Sequence, residues 1–135
     1  MTTFVDTNVL ISLLSPNEPY HQWSTTQLQL RKAQGPALIC DIVYCEFSVG
    51  MPDVAMVDAA ISRLALDRFG RSSDAILVRA GQAFKQYKEK HNGPKMNVLP
   101  DFLIGAAAEV SGAPLLTANK RDYTGYFPNL QLISP

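Results

Sequence analysis

The chain is poor in cysteine, has no long apolar run and carries no excess of charge of either sign. Its two cysteines, Cys40 and Cys45, lie in one apolar segment. They are too few for a disulfide framework or a cysteine zinc site, so we expect buried free thiols. No apolar run reaches the roughly 18 residues of a membrane-spanning helix, and no basic segment followed by a long apolar stretch opens the chain. These absences predict a cytoplasmic protein that does not enter the membrane.

Positive and negative charges balance. The chain has twelve Lys and Arg residues and twelve Asp and Glu residues, so its formal net charge is zero. Because strong nonspecific nucleic-acid binders usually carry a basic excess, a nucleic-acid ligand would need local positive charge, a metal ion or a second subunit. What the chain does have is apolar residues, which make up 47% of its 135 positions. These values predict a single domain over residues 1–135 with a sizeable core.

Apolar periodicity predicts strands that alternate with helices along the chain. Strands are predicted at 3–6, 37–40, 67–69, 114–117 and 130–133. Helices are predicted at 8–14, 19–32, from 52 to about 65, 74–91 and 101–110, with a short turn or helix at 119–122. This alternation predicts an α/β fold whose mostly parallel sheet is covered by helices on both faces.

Local motifs predict where several of these helices begin and end. Pro19 suits a first helical turn, and Asp41 can cap the helix after the second strand. Either Ser72 or Ser73 can cap the long helix, and Asn92-Gly93-Pro94 is expected to end it.

Four acidic residues fall near the ends of predicted strands or in the helices beside them. They are Asp6, Glu46, Asp101 and Asp122. Sites in parallel sheets form beyond the carboxyl ends of the strands, so we expect these side chains to converge. The face of the helix that carries Asp101 also holds Gly105 and Ala108, whose small side chains would let a bulky polyanion approach.

The surroundings of these acids predict a metal site. Asp6, Glu46 and Asp101 are embedded in apolar sequence, where a carboxylate is costly unless it is paired or bound to a metal ion. A hard divalent cation takes oxygen ligands, and magnesium uses only one or two protein carboxylates directly. Such an ion activates water and screens the charge that grows on a phosphate. The pattern therefore favours phosphodiester hydrolysis.

Each residue also has a purely structural interpretation. Asp6 could cap the helix that follows it, Glu46 could be exposed on its helix, and Asp101 could complement a helix dipole. Asn119 could be only an N-cap, and Asp41 fits a cap better than a ligand. The joint placement of the acids favours a site over these separate explanations.

Four segments of the chain resemble the PIN domain, and in particular the bacterial VapC-type toxins. The segments are 4–10, Glu46 in its helix, 99–106 and 115–123. The opening motif alone is weak, whereas all four in this order and spacing are specific and cover essentially the whole chain. The one departure is Asp41, which stands where the family often has Ser or Thr.

The resemblance implies a three-layer α/β/α PIN-like fold and a Mg²⁺- or Mn²⁺-dependent endoribonuclease. It implies Asp6 and Asp101 as the principal metal ligands, with Glu46 completing the acidic site directly or through water. Supporting polar positions are matched by Thr7, Asn8 and Thr117. Both Asn119 and Asp122 match the fourth acidic place, and we favour Asp122 with Asn119 assisting. One metal ion and two remain equally compatible with these residues.

VapC-type proteins are usually the toxin half of a type II toxin–antitoxin pair. The resemblance therefore implies a VapB-like antitoxin that blocks the site, and a homodimer. Since clustered carboxylates attract Arg or Lys, a basic side chain of the antitoxin could enter the pocket.

An RNA substrate would also need contacts outside the acidic cluster. Lys120 and Arg121 are candidates because they adjoin it. A solvated helix face is favoured for Lys85, Lys88 and Lys90, and helix packing is favoured over base stacking for Tyr20, His21 and Trp23. We expect no catalytic role for His21 or His91.

Two other functions compete with hydrolysis. A non-catalytic PIN-fold module that binds RNA or a protein partner is the first, and the presence of the acids disfavours it. A phosphoacceptor domain is the second, and it would need adjacent acids after the first strand, where this chain has Asp6-Thr7-Asn8.

Overall fold

The computed structural model describes residues 1–91 and 98–135, and its five strands form one parallel sheet. The strands are β1 (Thr3–Val5), β2 (Ala37–Ile39), β3 (Asp67–Arg68), β4 (Leu115–Leu116) and β5 (Leu132–Ile133). Their order in the sheet is β3-β2-β1-β4-β5. Phe4 of β1 therefore lies between Leu38 of β2 and Leu115 of β4. The predicted α/β fold with a parallel sheet is confirmed.

Six α-helices flank the sheet within the described ranges. They are α1 (Thr7–Leu14), α2 (His21–Gln34), α3 (Asp41–Phe47), α4 (Val54–Arg63), α5 (Asp74–His91) and α6 (Leu99–Val110). Two 3₁₀ turns follow α3 and β4, at Ser48–Gly50 and Lys120–Asp122. In residues 1–91 and 98–135, no helix is both long and apolar enough to cross a membrane.

The core lies between the central strands and the helices above and below them. Phe4 and Val5 of β1 and Leu115 and Leu116 of β4 are all buried. Strands covered on both faces need apolar residues at successive positions, which explains why these segments read as short continuous apolar runs. Helix α5 packs on α6, and α1 packs on α2 and α3.

Helix α5 confirms the strongest periodic pattern in the sequence. It spans the predicted residues 74–91, and Ile76, Ala80 and Ala83 form its buried stripe. Ser73 rather than Ser72 supplies the cap, because its Oγ accepts a hydrogen bond from the Ile76 amide at 3.3 Å. The predicted stop signal, Asn92-Gly93-Pro94, lies outside the described residues.

Two helix starts differ from the prediction. Helix α2 begins at His21 because residues before it form turns, in which the Glu18 amide binds the Ser15 carbonyl and the His21 amide binds the Glu18 carbonyl. Asp41 is not the cap of α3 but its first residue, and its carboxylate is exposed and paired with Arg68 of β3. The chain therefore uses Asp41 to connect α3 with the edge of the sheet.

The two cysteines differ in environment. Cys40 is buried as expected, and burial, followed by the charges of Asp41 and Asp6, raises the pKa of its thiol to about 12. Cys45 is exposed, so the expectation of two buried thiols was wrong for this residue. It lies on the outward side of α3, since only Val43 and Phe47 of that helix are buried.

Candidate active site

Asp6 occupies the point where the strand order of the sheet reverses. The chain runs from β1 to β2 and β3 on one side and returns to β4 and β5 on the other, so the switch lies between β1 and β4. Asp6 follows β1, and Thr117 follows β4. Ligands of open parallel sheets bind at this kind of crevice, beyond the carboxyl ends of the strands.

Three donors hold the buried Asp6 carboxylate, which is only 3% exposed. Its Oδ1 accepts a hydrogen bond of 2.7 Å from the Thr7 amide, which makes Asp6 the N-cap of α1. Its Oδ2 accepts bonds of 2.8 Å from Thr117 Oγ1 and 2.7 Å from Tyr123 Oη. Burial raises the pKa of Asp6 despite these donors, which lower it. The residue is thus both a cap and a member of the acidic cluster.

Asn8 and Thr117 join the start of α1 to the loop after β4. The Asn8 side chain donates to Thr117 Oγ1 at 3.3 Å and accepts from the Ala118 amide at 3.0 Å. The Asn119 amide also donates to Thr117 Oγ1, at 3.1 Å. The polar residues predicted to support the site therefore form one connected network around Asp6.

Glu46 reaches the same network from α3. Thr7 Oγ1 donates a hydrogen bond of 2.8 Å to Glu46 Oε1, and the Glu46 side chain is half-buried. An outward-facing helix residue would not make this contact. The structure thus brings Glu46 to the first turn of α1, one residue from Asp6.

Asp101 lies in the first turn of α6, where it faces the other acids. Burial raises the pKa of Asp101 to about 7, and the charges of Asp6, Asp122 and Glu46 add to this effect. Across residues 1–91 and 98–135, no hydrogen bond or ion pair engages its carboxylate. Asp101 is therefore a partly buried acid that lacks a compensating partner in this part of the chain.

The alternatives at the fourth position, Asn119 and Asp122, contact each other. Asn119 Nδ2 donates to Asp122 Oδ2 at 3.2 Å, and Asn119 Oδ1 accepts from the Arg121 amide at 3.3 Å to cap the 3₁₀ turn. Burial and the charge of Asp6 raise the pKa of Asp122. The two side chains therefore lie side by side, and the preference for Asp122 with Asn119 assisting stays a prediction.

Sequence reasoning missed Tyr123. Its side chain is fully buried, its hydroxyl binds Asp6, and burial followed by the charges of Asp6 and Asp101 raises its pKa well above the ordinary value. An aromatic residue beside Asp122 could have been noticed as a buried neighbour of the site. The partner of its hydroxyl depends on the path of the chain after β4, which no local pattern records.

The small residues of α6 serve packing rather than ligand access. A Cβ at Gly105 would lie 2.7 Å from the ring of Phe127, so glycine is needed for that ring to approach the helix. Ala108 is also buried. The expected open face for a polyanion at these two positions was wrong.

Basic and aromatic side chains surround the acids. A cavity of about 350 Å³ contains Asp101 and Asp122 in its wall, together with Lys90, His91 and Arg121. A second cavity of about 580 Å³ contains Asn119, Lys120, Arg121 and Tyr20. The 3₁₀ turn that carries Asp122 separates the two, and Arg121 lines both. Lys85, Lys88 and Lys90 are all exposed, as expected for a solvated helix face, and Lys90 also borders the first of these cavities.

The donor set suits a hard divalent cation. In the described ranges, no three His, Cys, Asp or Glu side chains form a group that could hold a metal ion by themselves. Magnesium needs fewer, since it binds one or two carboxylates and completes its shell with water. Among the described residues, none occupies the acceptor sites of the Asp101 carboxylate, and part of Asp6 Oδ1 also has no donor, so these two carboxylates fit that requirement.

Comparison with known proteins agrees with this fold. A family model described as the PIN domain matches residues 3–124. The VapBC2 structure from Rickettsia felis, bound to a promoter DNA fragment, is 19% identical with a TM-score of 0.73, covering 99% of this chain and 98% of that one. VapBC-1 from nontypeable Haemophilus influenzae is 20% identical with a TM-score of 0.72, at 99% and 98% coverage. A toxin–antitoxin complex from Klebsiella pneumoniae is 23% identical with a TM-score of 0.64, at 97% and 95% coverage. No curated protein gives a significant match.

Proposed function

We propose that this chain, which belongs to the PIN domain family, is a metal-dependent endoribonuclease of the cytoplasm and the toxin of a type II toxin–antitoxin pair. The observation that carries the proposal is Asp101, an acid near Asp6, Asp122 and Glu46 whose pKa is raised to about 7. Like charges that share a site repel each other, and a bound divalent cation would relieve this repulsion. The same site would then be built for a phosphate-bearing substrate.

The site residues have distinct roles in this proposal. Asp6 and Asp101 would hold Mg²⁺ or Mn²⁺, which would supply an activated water and charge screening at the phosphorus. Glu46 and Asp122 would accept hydrogen bonds from waters at the site and orient them. Thr7 fixes Glu46 through its hydroxyl, and Asn119 fixes Asp122 through its amide. Thr117 and Asn8 keep the loop after β4 against α1.

RNA would lie across the 3₁₀ turn between the two cavities. Arg121 and Lys90 line the cavity of Asp101 and Asp122, and Lys120 lines the second cavity beside Asn119. Cations at these positions would bind the phosphates on either side of the scissile one, which supplies local attraction in a chain of zero net charge. Tyr20 is exposed at the second cavity and offers a ring for base stacking.

An antitoxin partner is proposed from the similar structures, which are described as toxin–antitoxin complexes or VapBC proteins. A cavity of about 530 Å³ beside Glu46 supports this proposal, because Ile11, Leu14 and Val49 expose apolar surface around it. A VapB-like segment could cover this surface and place a basic side chain at the acids. We also propose a homodimer, in line with the family.

Cleavage assays with matched variants test the enzymatic proposal. Purified protein should cleave RNA with Mg²⁺ or Mn²⁺ and stop when the metal is chelated. Asp6→Ala and Asp101→Ala should abolish cleavage while circular dichroism remains that of the parent protein. Asp67→Asn is the control, since Asp67 is an exposed acid of β3 outside the cluster. Full cleavage by either site variant would refute the assignment.

The alternative is a PIN-fold module that binds RNA or a protein without cleaving it. The absence of a ready three-ligand metal group in the described ranges is the observation that favours it. Two results would support this alternative. The parent protein would bind RNA at every metal concentration, and cells that express it would show no new RNA 5′ ends.

A further inference from the structure

Within residues 1–91 and 98–135, the hydrogen bonds of Asp6 leave one position of its carboxylate free. An ionised carboxylate offers about four lone-pair sites, two on each oxygen. Thr117 Oγ1 and Tyr123 Oη occupy both sites on Oδ2, at 2.8 and 2.7 Å. The Thr7 amide occupies one site on Oδ1, at 2.7 Å. The remaining site, on Oδ1, is the one with which Asp6 can bind a further group.

The Tyr123 hydroxyl is held in place by its surroundings. The residue is 0% exposed, so its hydroxyl cannot form a hydrogen bond with bulk water instead. Its amide donates to the Lys120 carbonyl at 3.1 Å, and its ring lies 6.4 Å from that of Phe127, centroid to centroid. A buried hydroxyl that lost Asp6 would be left unsatisfied, which is costly. The hydroxyl therefore keeps Oδ2 engaged whether or not a ligand is present.

We propose that Tyr123, together with Thr117, is a positioning residue that blocks Oδ2 and makes Asp6 present Oδ1 alone to the divalent cation. The proposal rests on the proposed function, because it assumes that Asp6 is a metal ligand. Partners that orient a metal ligand typically change metal affinity by about 10- to 100-fold when they are removed. Tyr123 thereby sets the affinity of the site for its ion without touching the ion or the substrate.

Binding of Mn²⁺ in the absence of RNA provides the test. Tyr123→Phe removes one oxygen and preserves the ring, so calorimetry should find a Kd for Mn²⁺ about 10-fold higher than that of the parent protein. Saturating Mn²⁺ should restore RNA cleavage by Tyr123→Phe, with a kcat within about twofold of the parent value. Only the Mn²⁺ concentration that gives the half-maximal rate should be higher in this variant. A structural defect would not be reversed by the ion in this way.

Tyr44→Phe is the matched control. The Tyr44 hydroxyl donates to Asp58 Oδ1 at 2.7 Å, a tyrosine–aspartate bond of the same length between α3 and α4. This variant should bind Mn²⁺ like the parent protein. If Tyr123→Phe does not fold, Thr117→Ser and Thr117→Val replace it, because serine keeps the hydroxyl on Oδ2 and valine removes it. The valine variant should then bind Mn²⁺ about 10-fold more weakly than the serine variant.

The outcomes separate this proposal from the proposed function. A Kd that is unchanged or lower in folded Tyr123→Phe, or equal for the two Thr117 variants, overturns the positioning role. A parent protein that binds no Mn²⁺ and cleaves no RNA overturns the proposed function itself.

Discussion

Helix α6 carries one carboxylate at each end, and their surroundings are opposite. Glu109 in the last turn is 9% exposed, and Arg79 of α5 meets it at 2.6 Å. The same guanidinium donates to the Tyr126 carbonyl at 2.7 Å and lies 4.8 Å from the centroid of Phe127. Asp101 in the first turn has no such partner among the described residues, and burial followed by the charges of Asp6, Asp122 and Glu46 raises its pKa to about 7.

The contrast separates a carboxylate that is paired within the fold from one that has no cationic partner among the described residues. A buried ion pair that is fully hydrogen-bonded can hold two elements together, and removing one partner leaves a charge without compensation. A partly buried acid among other acids does the reverse, since it weakens the fold until a cation or a proton arrives. Helix α6 thus carries a compensated carboxylate at its C-terminal end and a carboxylate of the proposed site at its N-terminal end.

The largest expected effect is on catalysis, and it should occur at one end of α6 only. Asp101→Asn should lower kcat/KM at least about 10³-fold, about 4 kcal/mol of transition-state stabilisation, because an amide cannot replace a charged metal ligand. Glu109→Gln should retain cleavage within a few-fold when both are assayed at a temperature at which they are folded. Equal losses of kcat/KM in the two variants would contradict the different roles assigned to Asp101 and Glu109.

The reverse effect is expected on stability. Glu109→Gln should lower the free energy of unfolding by about 3 kcal/mol, because Arg79 would be left partly buried without its counter-charge. Asp101→Asn should leave the stability of the metal-free protein unchanged or higher, since it removes a repelled charge. Urea denaturation followed by circular dichroism measures both, and a stable Glu109→Gln variant would contradict the assigned role of that pair.

A smaller effect should appear in the pH dependence of the metal-free protein. The pKa of Asp101 is raised from the ordinary carboxyl value of 3.8 to about 7, so the folded chain keeps a proton that the unfolded chain has already lost. The free energy of unfolding therefore falls progressively as pH rises from about 4 up through about 7. With allowance for partial exposure, the free energy of unfolding should fall by about 1 kcal/mol between pH 6 and pH 8.

Two comparisons isolate the contribution of Asp101. Asp101→Asn should show a shallower pH dependence than the parent, and Mg²⁺ should flatten that of the parent protein. Groups that titrate alike in both proteins cancel in the difference. Identical slopes in parent and variant would exclude Asp101 as the source.

The smallest expected effect concerns an exposed ion pair on the neighbouring helix. Lys85 and Glu89 of α5 lie 4.0 Å apart and are both largely exposed. Lys85→Ala should change the free energy of unfolding by less than about 0.5 kcal/mol, because water and salt screen such a pair. A loss close to that of Glu109→Gln would mean that burial is not what distinguishes the Arg79 pair.

Periodic, locally encoded elements were predictable from the sequence. The 3.6-residue stripe of Ile76, Ala80 and Ala83 identified α5, and the predicted ranges of all five strands agree with the structure to within about two residues. Of these strands, β3 is formed by two exposed charged residues rather than by an apolar run. Two helix starts were predicted less accurately. Helix α2 begins at His21 rather than Pro19 because turns precede it, and Asp41 pairs with Arg68 instead of capping α3. Local turn hydrogen bonds decided the first position, and a tertiary ion pair decided the second.

The candidate site was predictable in its residues but not in its connections. The sequence indicated that acidic residues lie at or near strand ends, at Asp6, Glu46, Asp101 and Asp122. It also indicated Thr117 and Asn119 as polar residues beside them. The bond from Tyr123 to Asp6 joins residues 117 positions apart, and the engagement of Gly105 by Phe127 also depends on chain packing. Sequence separation of this size leaves no local pattern to interpret.

By itself the sequence determined which segments become strands and helices and which acids stand at their ends, because apolar periodicity and chain breaks act over a few residues. The strand order decided the rest. It placed β4 beside β1, so that Thr117 and Tyr123 form hydrogen bonds with Asp6 and the acids lie close together. Arg79 pairs with Glu109 and not with these acids. Compensation of a charge depends on distance in space, and only the folded chain sets that distance.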